Sequence, residues 1–310
     1  MTEAPVSPRG CAEVAALRFE GAHSSHVRES LAVEEPLEIR LVFGSAHART
    51  TRSIAVTMRT PGHDAELAVG FLVTEGVIRD VDGVVRVDAD TPQGTSEAAP
   101  AHPPAEDGKT RVARNVASNI VTVELAPGID VNLANLERNF YTTSSCGVCG
   151  KASLLALRAA CPPRRRNEFV IDAATLYRLP ERLRAGQGIF ARTGGLHAAA
   201  LFSADGKLDS MREDVGRHNA VDKLIGAALL ADRLPLSNFL LLLSGRASFE
   251  LVQKAVMGGI PMIASVGAPS SLAVAVAKEF DITLAGFLRD DHCNVYHGEH
   301  RVAGGEQTLS

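Results

Sequence analysis

The chain has 310 residues, 45% hydrophobic and 22% charged, with 32 Lys and Arg against 36 Asp and Glu. A formal net charge of -4, 5% aromatics and no tryptophan argue against a general nucleic-acid binder and against a base-stacking platform. No apolar run reaches the ~20 residues that span a bilayer, and the N-terminus lacks the charged start and apolar core of a secretory signal. A cytoplasmic protein with no membrane partner is expected. It is long enough for one large domain or two, and it needs no disulfide staples.

Residues 1–26 are polar, with Pro5, Pro8 and Gly10, and read as a loose tail. Leu37, Ile39 and Leu41 alternate with polar residues and predict a strand, and 53–58 predict its hairpin partner. Asp64 opens a helix that puts Leu67, Ala68, Phe71 and Leu72 on one face, with Gly76 as a stop. Residues 90–110 are rich in Pro, Ala and charge, the composition of a disordered insertion. Residues 119–125 predict another strand. Residues 27–140 are therefore expected to form a smaller, mostly β subdomain, followed by an α/β domain over 141–310.

Two of the five cysteines stand as Cys146-Gly147-Val148-Cys149. In a reducing compartment such a pair is catalytic, redox-active or metal-binding more often than structural. Lys151 and a predicted helix over 151–160 follow, and both favour the thiolate, the reactive form of the thiol. Thiol exchange or sulfur transfer fits this setting. Three rival readings stay open. A structural zinc needs four ligands; Cys293 with His292 or His297 could complete a set, at a spacing that is no standard knuckle. A thioredoxin-like site would stand after a first strand, whereas here ~145 residues precede the pair. Inert core cysteines would not have such polar, Gly-rich flanks. Cys11 and Cys161 look incidental, and Arg164 to Arg166 read as a solvated face.

The C-terminal third predicts strand, helix, strand, helix, strand over 239–243, 247–257, 260–266, 270–280 and 282–288, hence parallel pairing. Upstream, Val215, Val221, Leu224, Ile225, Ala228 and Leu229 mark an amphipathic helix, which Glu213 or Asp214 would cap. The three strand ends carry Ser244-Gly245-Arg246, Gly267 through Ser271, and Arg289 through His292. Open α/β sheets bind ligands at such ends, and helix N-termini there favour phosphate. The bland reading is ordinary caps and surface arginines. No Walker or Gly-x-Gly-x-x-Gly motif is present. His197 and His218 are either acid/base groups or structural hydrogen-bonders.

Six motifs in order resemble the formate dehydrogenase accessory protein family (FdhD), over about residues 30 to 300. They are Glu66-Leu67-Ala68-Val69-Gly70-Phe71-Leu72-Val73-Thr74-Glu75-Gly76, Ser144-Ser145-Cys146-Gly147-Val148-Cys149-Gly150, and Thr193-Gly194-Gly195-Leu196-His197-Ala198-Ala199. Then come Glu213-Asp214-Val215-Gly216-Arg217-His218-Asn219-Ala220-Val221-Asp222-Lys223, the run from Ser244 to Lys254, and Gly286-Phe287-Leu288-Arg289. The resemblance implies a cytidine-deaminase-like α/β sandwich with a parallel C-terminal sheet, assembled as a homodimer. It implies a sulfurtransferase that takes sulfur from a cysteine desulfurase as a persulfide. The sulfur passes to the molybdenum cofactor, a bis(molybdopterin guanine dinucleotide), for formate dehydrogenase.

Carried onto this chain, Cys146 matches the persulfide-bearing cysteine and Cys149 its partner. The cofactor stretch maps onto Phe287, Leu288, Arg289, Asp290, Asp291 and His292, with Ser244, Gly245, Arg246, Ser270 and His218 expected around it. Some members carry Lys-Pro-Gly-Arg where this chain has Arg289-Asp290-Asp291-His292, two acids beside expected phosphates. The deaminase zinc signature is absent, so neither an intrinsic metal nor deamination is expected. The alternative function is a molybdenum-cofactor chaperone without sulfur chemistry.

Overall fold

The structure, a computed structural model, describes residues 10–90, 111–115, 119–132 and 168–304. The Cys146–Cys149 pair, the helix predicted over 151–160 and all but the first residue of the 90–110 insertion lie outside the described residues.

The first two strands are β1 (Cys11–Glu20) and β2 (His23–Ala32), a long antiparallel hairpin. The expectation of a loose tail over 1–26 is corrected here for residues 11–26. Most of the hairpin's residues are solvent-exposed, with Phe19 72% exposed. With little buried on either face, the sequence carries no inside–outside alternation, which is the usual mark of a strand.

A five-stranded sheet follows, with β3 (Glu35–Ser45), β4 (Ala48–Arg59), β5 (Val84–Asp90), β6 (Arg111–Asn115) and β7 (Ile120–Leu125) in the order β4-β3-β7-β5-β6. Its inward face is the predicted one: Leu37, Ile39 and Leu41 from β3 meet Val121, Val123 and Leu125 from β7 in one core. Helix α1 (Asp64–Thr74) covers that face.

Strand β8 (Ile171–Asp172) leads into three short helices, α2 (Ala173–Tyr177), α3 (Leu179–Gly186) and α4 (Gly188–Thr193). The second sheet holds β9 (His197–Phe202), β10 (Leu208–Asp214), β11 (Leu240–Leu243), β12 (Met262–Ser265), β13 (Thr283–Arg289) and β14 (His292–His297), in the order β10-β9-β11-β12-β13-β14. The three predicted strands β11, β12 and β13 are parallel, as expected, and antiparallel strands close both edges. Helices α5 (Arg217–Leu230), α6 (Phe249–Met257) and α7 (Ser271–Glu279) complete the layer. β15 (Val302–Ala303) pairs with β8.

The continuous apolar runs of this sheet resolve into two faces with period two. Ala199, Leu201, Leu241, Leu243 and Ile263 point into a core shared with α1, α5, α6 and the five-stranded sheet. Ala198, Ala200, Phe202, Leu240, Leu242 and Met262 point the other way, onto Leu176, Leu179 and Leu183 of α2 and α3. The molecule is thus a layered α/β sandwich with helices on both faces of the second sheet, the arrangement that makes such strands apolar throughout.

Helix α5 departs from the amphipathic expectation. It buries ten of its residues, Asp222 and Lys223 among them, because both flanks are covered. On one flank it crosses α1 at backbone contact: a Cβ on Gly70 would stand 1.8 Å from the Asp222 carbonyl oxygen, and one on Gly226 the same distance from that of Glu66. The buried charges are paired. Lys223 Nζ lies 2.6 Å from Asp214 and donates to the Thr60 carbonyl at 2.8 Å. Lys254 donates to both Asp222 oxygens at 2.9 Å and to the Thr74 hydroxyl at 3.0 Å. Burial favours the neutral Lys254 amine, but the charges of Asp222, Glu75 and Glu250 and the hydrogen bond to Asp222 together outweigh it, so the ammonium is held.

Candidate functional site

A cavity of about 840 Å³ opens beyond the carboxyl ends of the parallel strands. One wall comes from the second sheet: Ser244 after β11, Val266 after β12, Leu288 and Arg289 closing β13, Asp290 beyond it, and His197 opening the antiparallel β9. The other wall comes from the three short helices, with Tyr177, Arg178, Glu181, Arg184, Gln187 and Phe190. Three arginines face two carboxylates, Glu181 and Asp290, around this lining.

Local chemistry holds the helical wall. Asp172 caps α2, its carboxylate accepting from the Thr175 amide at 3.2 Å, and a proline falls in the first turn of α3. The two free amides at the start of α4, Ile189 and Phe190, donate to the Glu213 carboxylate at 3.0 and 2.8 Å. Glu213 sits on β10, so an edge strand of the sheet fixes Phe190 in the cavity wall. The expectation that Glu213 or Asp214 caps α5 is corrected: Gly216 holds the cap position. Asp214 is instead a buried hub. It accepts from the Thr60 amide, from Asn219 and from the Gly216 amide, and it pairs with Lys223. That hub sets where Arg217 and His218 emerge.

The other wall carries backbone strain. Phe287 and Asp290 adopt left-handed φ of 55° and 45°, where non-glycine residues cost about 1 kcal/mol or more. They flank Leu288 and Arg289, and the pairing of β13 with β14 slips its register there. The Phe287 amide donates to the Gly267 carbonyl at 3.1 Å, and Leu288 is fully buried, so packing over-determines the lip.

Gln187, between α3 and α4, is only 5% exposed, yet its side-chain Nε2 has no hydrogen-bond partner. A buried amide donor left unpaired costs about 1–3 kcal/mol. His197 is half-buried. Burial pushes its imidazole below the usual histidine range, and the Arg217 and His218 charges push the same way against Asp214. The neutral ring is therefore the form present at pH 7.

Of the residues expected around a cofactor, the cavity gathers Ser244, Leu288, Arg289 and Asp290. Ser244 accepts from the Ala198 amide at 2.8 Å. Gly245 lies just outside the lining, where a Cβ would come within 3.3 Å of the His197 ring. Ser270 caps α7 by accepting from the Ala273 amide at 3.1 Å, and Arg246 is an exposed residue packed beside Gly267. His218 stands 3.9 Å from Glu250. Phe287, Asp291 and His292 form the outer side of the lip, with Arg289 Nε donating to His292 at 3.2 Å. Gly245, Arg246, Ser270, His218, Phe287, Asp291 and His292 do not line the cavity. Cys146 and Cys149 lie outside the described residues. Cys293 is a free thiol whose pKa burial pushes up, and among the described residues no group of three His, Cys, Asp or Glu stands where a metal could be held.

The helical wall was missed in the sequence. Its signal is local: Asp172 as a cap, Pro180 two residues into a helix, and basic residues at Arg178, Arg182 and Arg184. These mark helices, and only the fold shows that their side chains close a cavity.

Comparison with known proteins gives a consistent result. A family model described as the FdhD/NarQ family matches residues 32–303. The sulfur carrier protein FdhD of Streptomyces avermitilis is 52% identical over 285 residues, covering 89% of each chain. The protein of the same name from Mycolicibacterium paratuberculosis is 50% identical over 275 residues, 88% of this chain and 92% of that one. The one from Sulfurisphaera tokodaii is 40% identical over 273 residues, 88% of this chain and 91% of the other. A crystal structure described as a formate dehydrogenase accessory protein from Desulfotalea psychrophila shares the fold, with a TM-score of 0.68 at 22% identity, over 94% of this chain and 99% of that chain. No described helix is long and apolar enough to cross a membrane.

Proposed function

We propose that this chain, which belongs to the FdhD/NarQ family, is a sulfur carrier that serves the maturation of a formate dehydrogenase. The observation that carries the reading is the match, over 88 to 96% of this chain, to relatives named sulfur carrier protein FdhD at 45 to 52% identity. On this reading the Cys146 thiolate attacks the outer sulfur of a cysteine desulfurase persulfide. The S–S bond of the donor breaks, the desulfurase cysteine leaves as thiolate, and Cys146 carries the persulfide. Cys149 assists by exchange, or protects by closing a disulfide. The acceptor is the molybdenum cofactor as substrate, bis(molybdopterin guanine dinucleotide): the outer sulfur passes to it as Cys146 leaves as thiolate, and the two electrons that take sulfane sulfur to a sulfide ligand come from the acceptor's metal or from a thiol reductant.

The cavity supports that substrate. Its volume is in the range of small-molecule sites, and it combines arginines for phosphate oxygens with aromatic rings for a base. Arg178, Arg184 and Arg289 would hold pyrophosphate, and Tyr177 and Phe190 would stack a ring. The homodimer, the cytoplasmic location and the roles of Gly245, Arg246, Ser270 and His218 belong to the same proposal. So does the absence of a resident metal.

The test is intact mass after incubation with a desulfurase and cysteine. Wild type is expected to gain one reducible sulfur, and Cys146→Ala none. A Cys146→Ala chain that still activates formate dehydrogenase would refute the carrier assignment. The alternative reading, a cofactor chaperone, rests on the cavity alone, whose lining combines arginines with aromatic rings and needs no sulfur chemistry. That reading predicts cofactor binding by the wild type with no gain of sulfur.

A further inference from the structure

We infer that the β1–β2 hairpin is an arm that docks a second copy of this chain, the free edge of β1 pairing antiparallel with the same edge of the partner. The inference rests on the homodimer of the reading above. It deepens that reading by assigning the contact to a segment that ends where the match to the family model begins, at residue 32.

The two strands are 10 residues each and pair without a bulge. A two-stranded hairpin is marginal in water by itself, and a further strand or a packed face is what holds one. The body holds this one at its base. A Cβ on Gly10 would stand 3.0 Å from Thr60 and 3.2 Å from Ile189, one on Gly195 would stand 3.5 Å from Ala32, and α4 packs against β2. Along the arm, Val14, Leu17, Phe19 and Leu31 are 43 to 72% exposed, four of the nine large apolar side chains exposed among the described residues. Side chains alternate along a strand and opposed residues share a face, so Ala15, Leu17 and Phe19 lie on one face and Ala12, Val14 and Leu31 on the other. Folding back onto its own body would cover only one of those faces.

The open edge names the occupant. Among the described residues β1 pairs with β2 alone. Such an edge is a template for another chain, and edges that stay free carry lysine, proline or a bulge. β1 carries none of the three. Glu13, Arg18 and Glu20 give it charges of both signs, so it does not repel its own copy as a strand of one sign would. With a two-fold axis at Leu17, Leu17 meets its own copy and Phe19 meets Ala15. The apolar residues of that face then gather on one side of a four-stranded sheet, and the contact closes at two copies.

The experiment is sedimentation velocity of the full-length chain over a range of concentrations, with hydrogen exchange read at the β1 amides. It compares wild type, the double variant Leu17→Lys/Phe19→Lys, and Val85→Lys, which changes an exposed apolar residue of β5. Wild type should be a dimer whose β1 amides gain protection as the dimer forms. The double variant should raise the dimer dissociation constant by at least about 100-fold, since two central apolar positions are lost on each copy. Val85→Lys should leave it unchanged. All three positions are exposed, so far-UV circular dichroism should show the wild-type fold in both variants. A dimer that survives in the double variant, with β1 amides unprotected, overturns the role of the hairpin and leaves the homodimer intact. A dimer broken by Val85→Lys instead moves the contact to the five-stranded sheet and overturns the inference as well. A wild type that stays monomeric at every concentration overturns the homodimer reading itself. Protection of β1 gained only on adding a cysteine desulfurase assigns the arm to that partner and overturns the second copy as its occupant.

Discussion

Two regions of this molecule bury polar groups, and they treat them in opposite ways. In the helix layer between the sheets, the fully buried carboxylates and ammonium groups are paired: Asp214 with Lys223, Asp222 with Lys254, and Thr60 and Thr74 filling the remaining positions. In the cavity beyond the strand ends, Gln187 keeps a donor free and two residues of the lip hold left-handed backbone. Satisfied burial specifies a structure, whereas an unpaired buried amide in one wall and strained backbone in the other mark a place that the fold alone does not require. The contrast separates residues whose loss should unfold the chain from residues whose loss should leave it folded and change what it binds.

The largest effect is expected at the helix crossing. Gly226→Ala places a methyl group within 1.8 Å of the Glu66 carbonyl oxygen, and Gly70→Ala does the same to Asp222. Neither backbone can withdraw without opening the layer, so each should cost more than about 4 kcal/mol. Loss of cooperative melting by circular dichroism is the expected readout, and a wild-type melting curve would show that the layer can slide. Next comes Lys223→Met, which strands the Asp214 carboxylate at zero exposure. About 3–5 kcal/mol should be lost in urea titrations, and Asp214→Asn added to it should restore much of that. A double variant as unstable as the single one would show that the pair acts through its other hydrogen bonds.

A third test uses pH. Burial raises the pKa of Glu66, but hydrogen bonds and charge from Arg212 and His63 outweigh it and hold the group to about 2, below the usual 4.5. A depressed carboxylate stabilises the fold at pH values above its unfolded pKa. That contribution shrinks as pH falls through 4.5 and is gone below about 2, a loss of roughly 3 kcal/mol. Glu66→Gln should flatten the stability profile in that window, and an unchanged slope would reassign it to other carboxylates. The smallest effect on the fold belongs to the cavity. Arg184→Gln should weaken pyrophosphate binding by about 10- to 150-fold, as loss of a charge-assisted contact does, with Tm unchanged. A fall in Tm of the size seen for Lys223→Met would erase the distinction between the two regions.

Legibility in the sequence followed the same division. Strands β3, β7, β11, β12 and β13 were readable because each buries apolar side chains with a period or a run that only a sheet explains. Helix α5 was found, but Asp222 and Lys223 point inward, and no periodicity distinguishes a buried ion pair from a solvated one. The hairpin β1–β2 was missed because it buries almost nothing. Half of the cavity was readable at Ser244, Leu288, Arg289 and Asp290, since strand ends advertise themselves. The other half, from Tyr177 to Phe190, was not. Its helices look like ordinary surface helices until the sheet is placed beneath them.

The clamp of Glu213 on the amides of Ile189 and Phe190 carries a kinetic consequence. A wall fixed to the sheet before any ligand arrives has little left to order when one does. Little entropy is then spent on capture, and no slow rearrangement precedes it. Association should follow a single exponential whose rate rises linearly with ligand concentration, set by encounter rather than by the opening of a door.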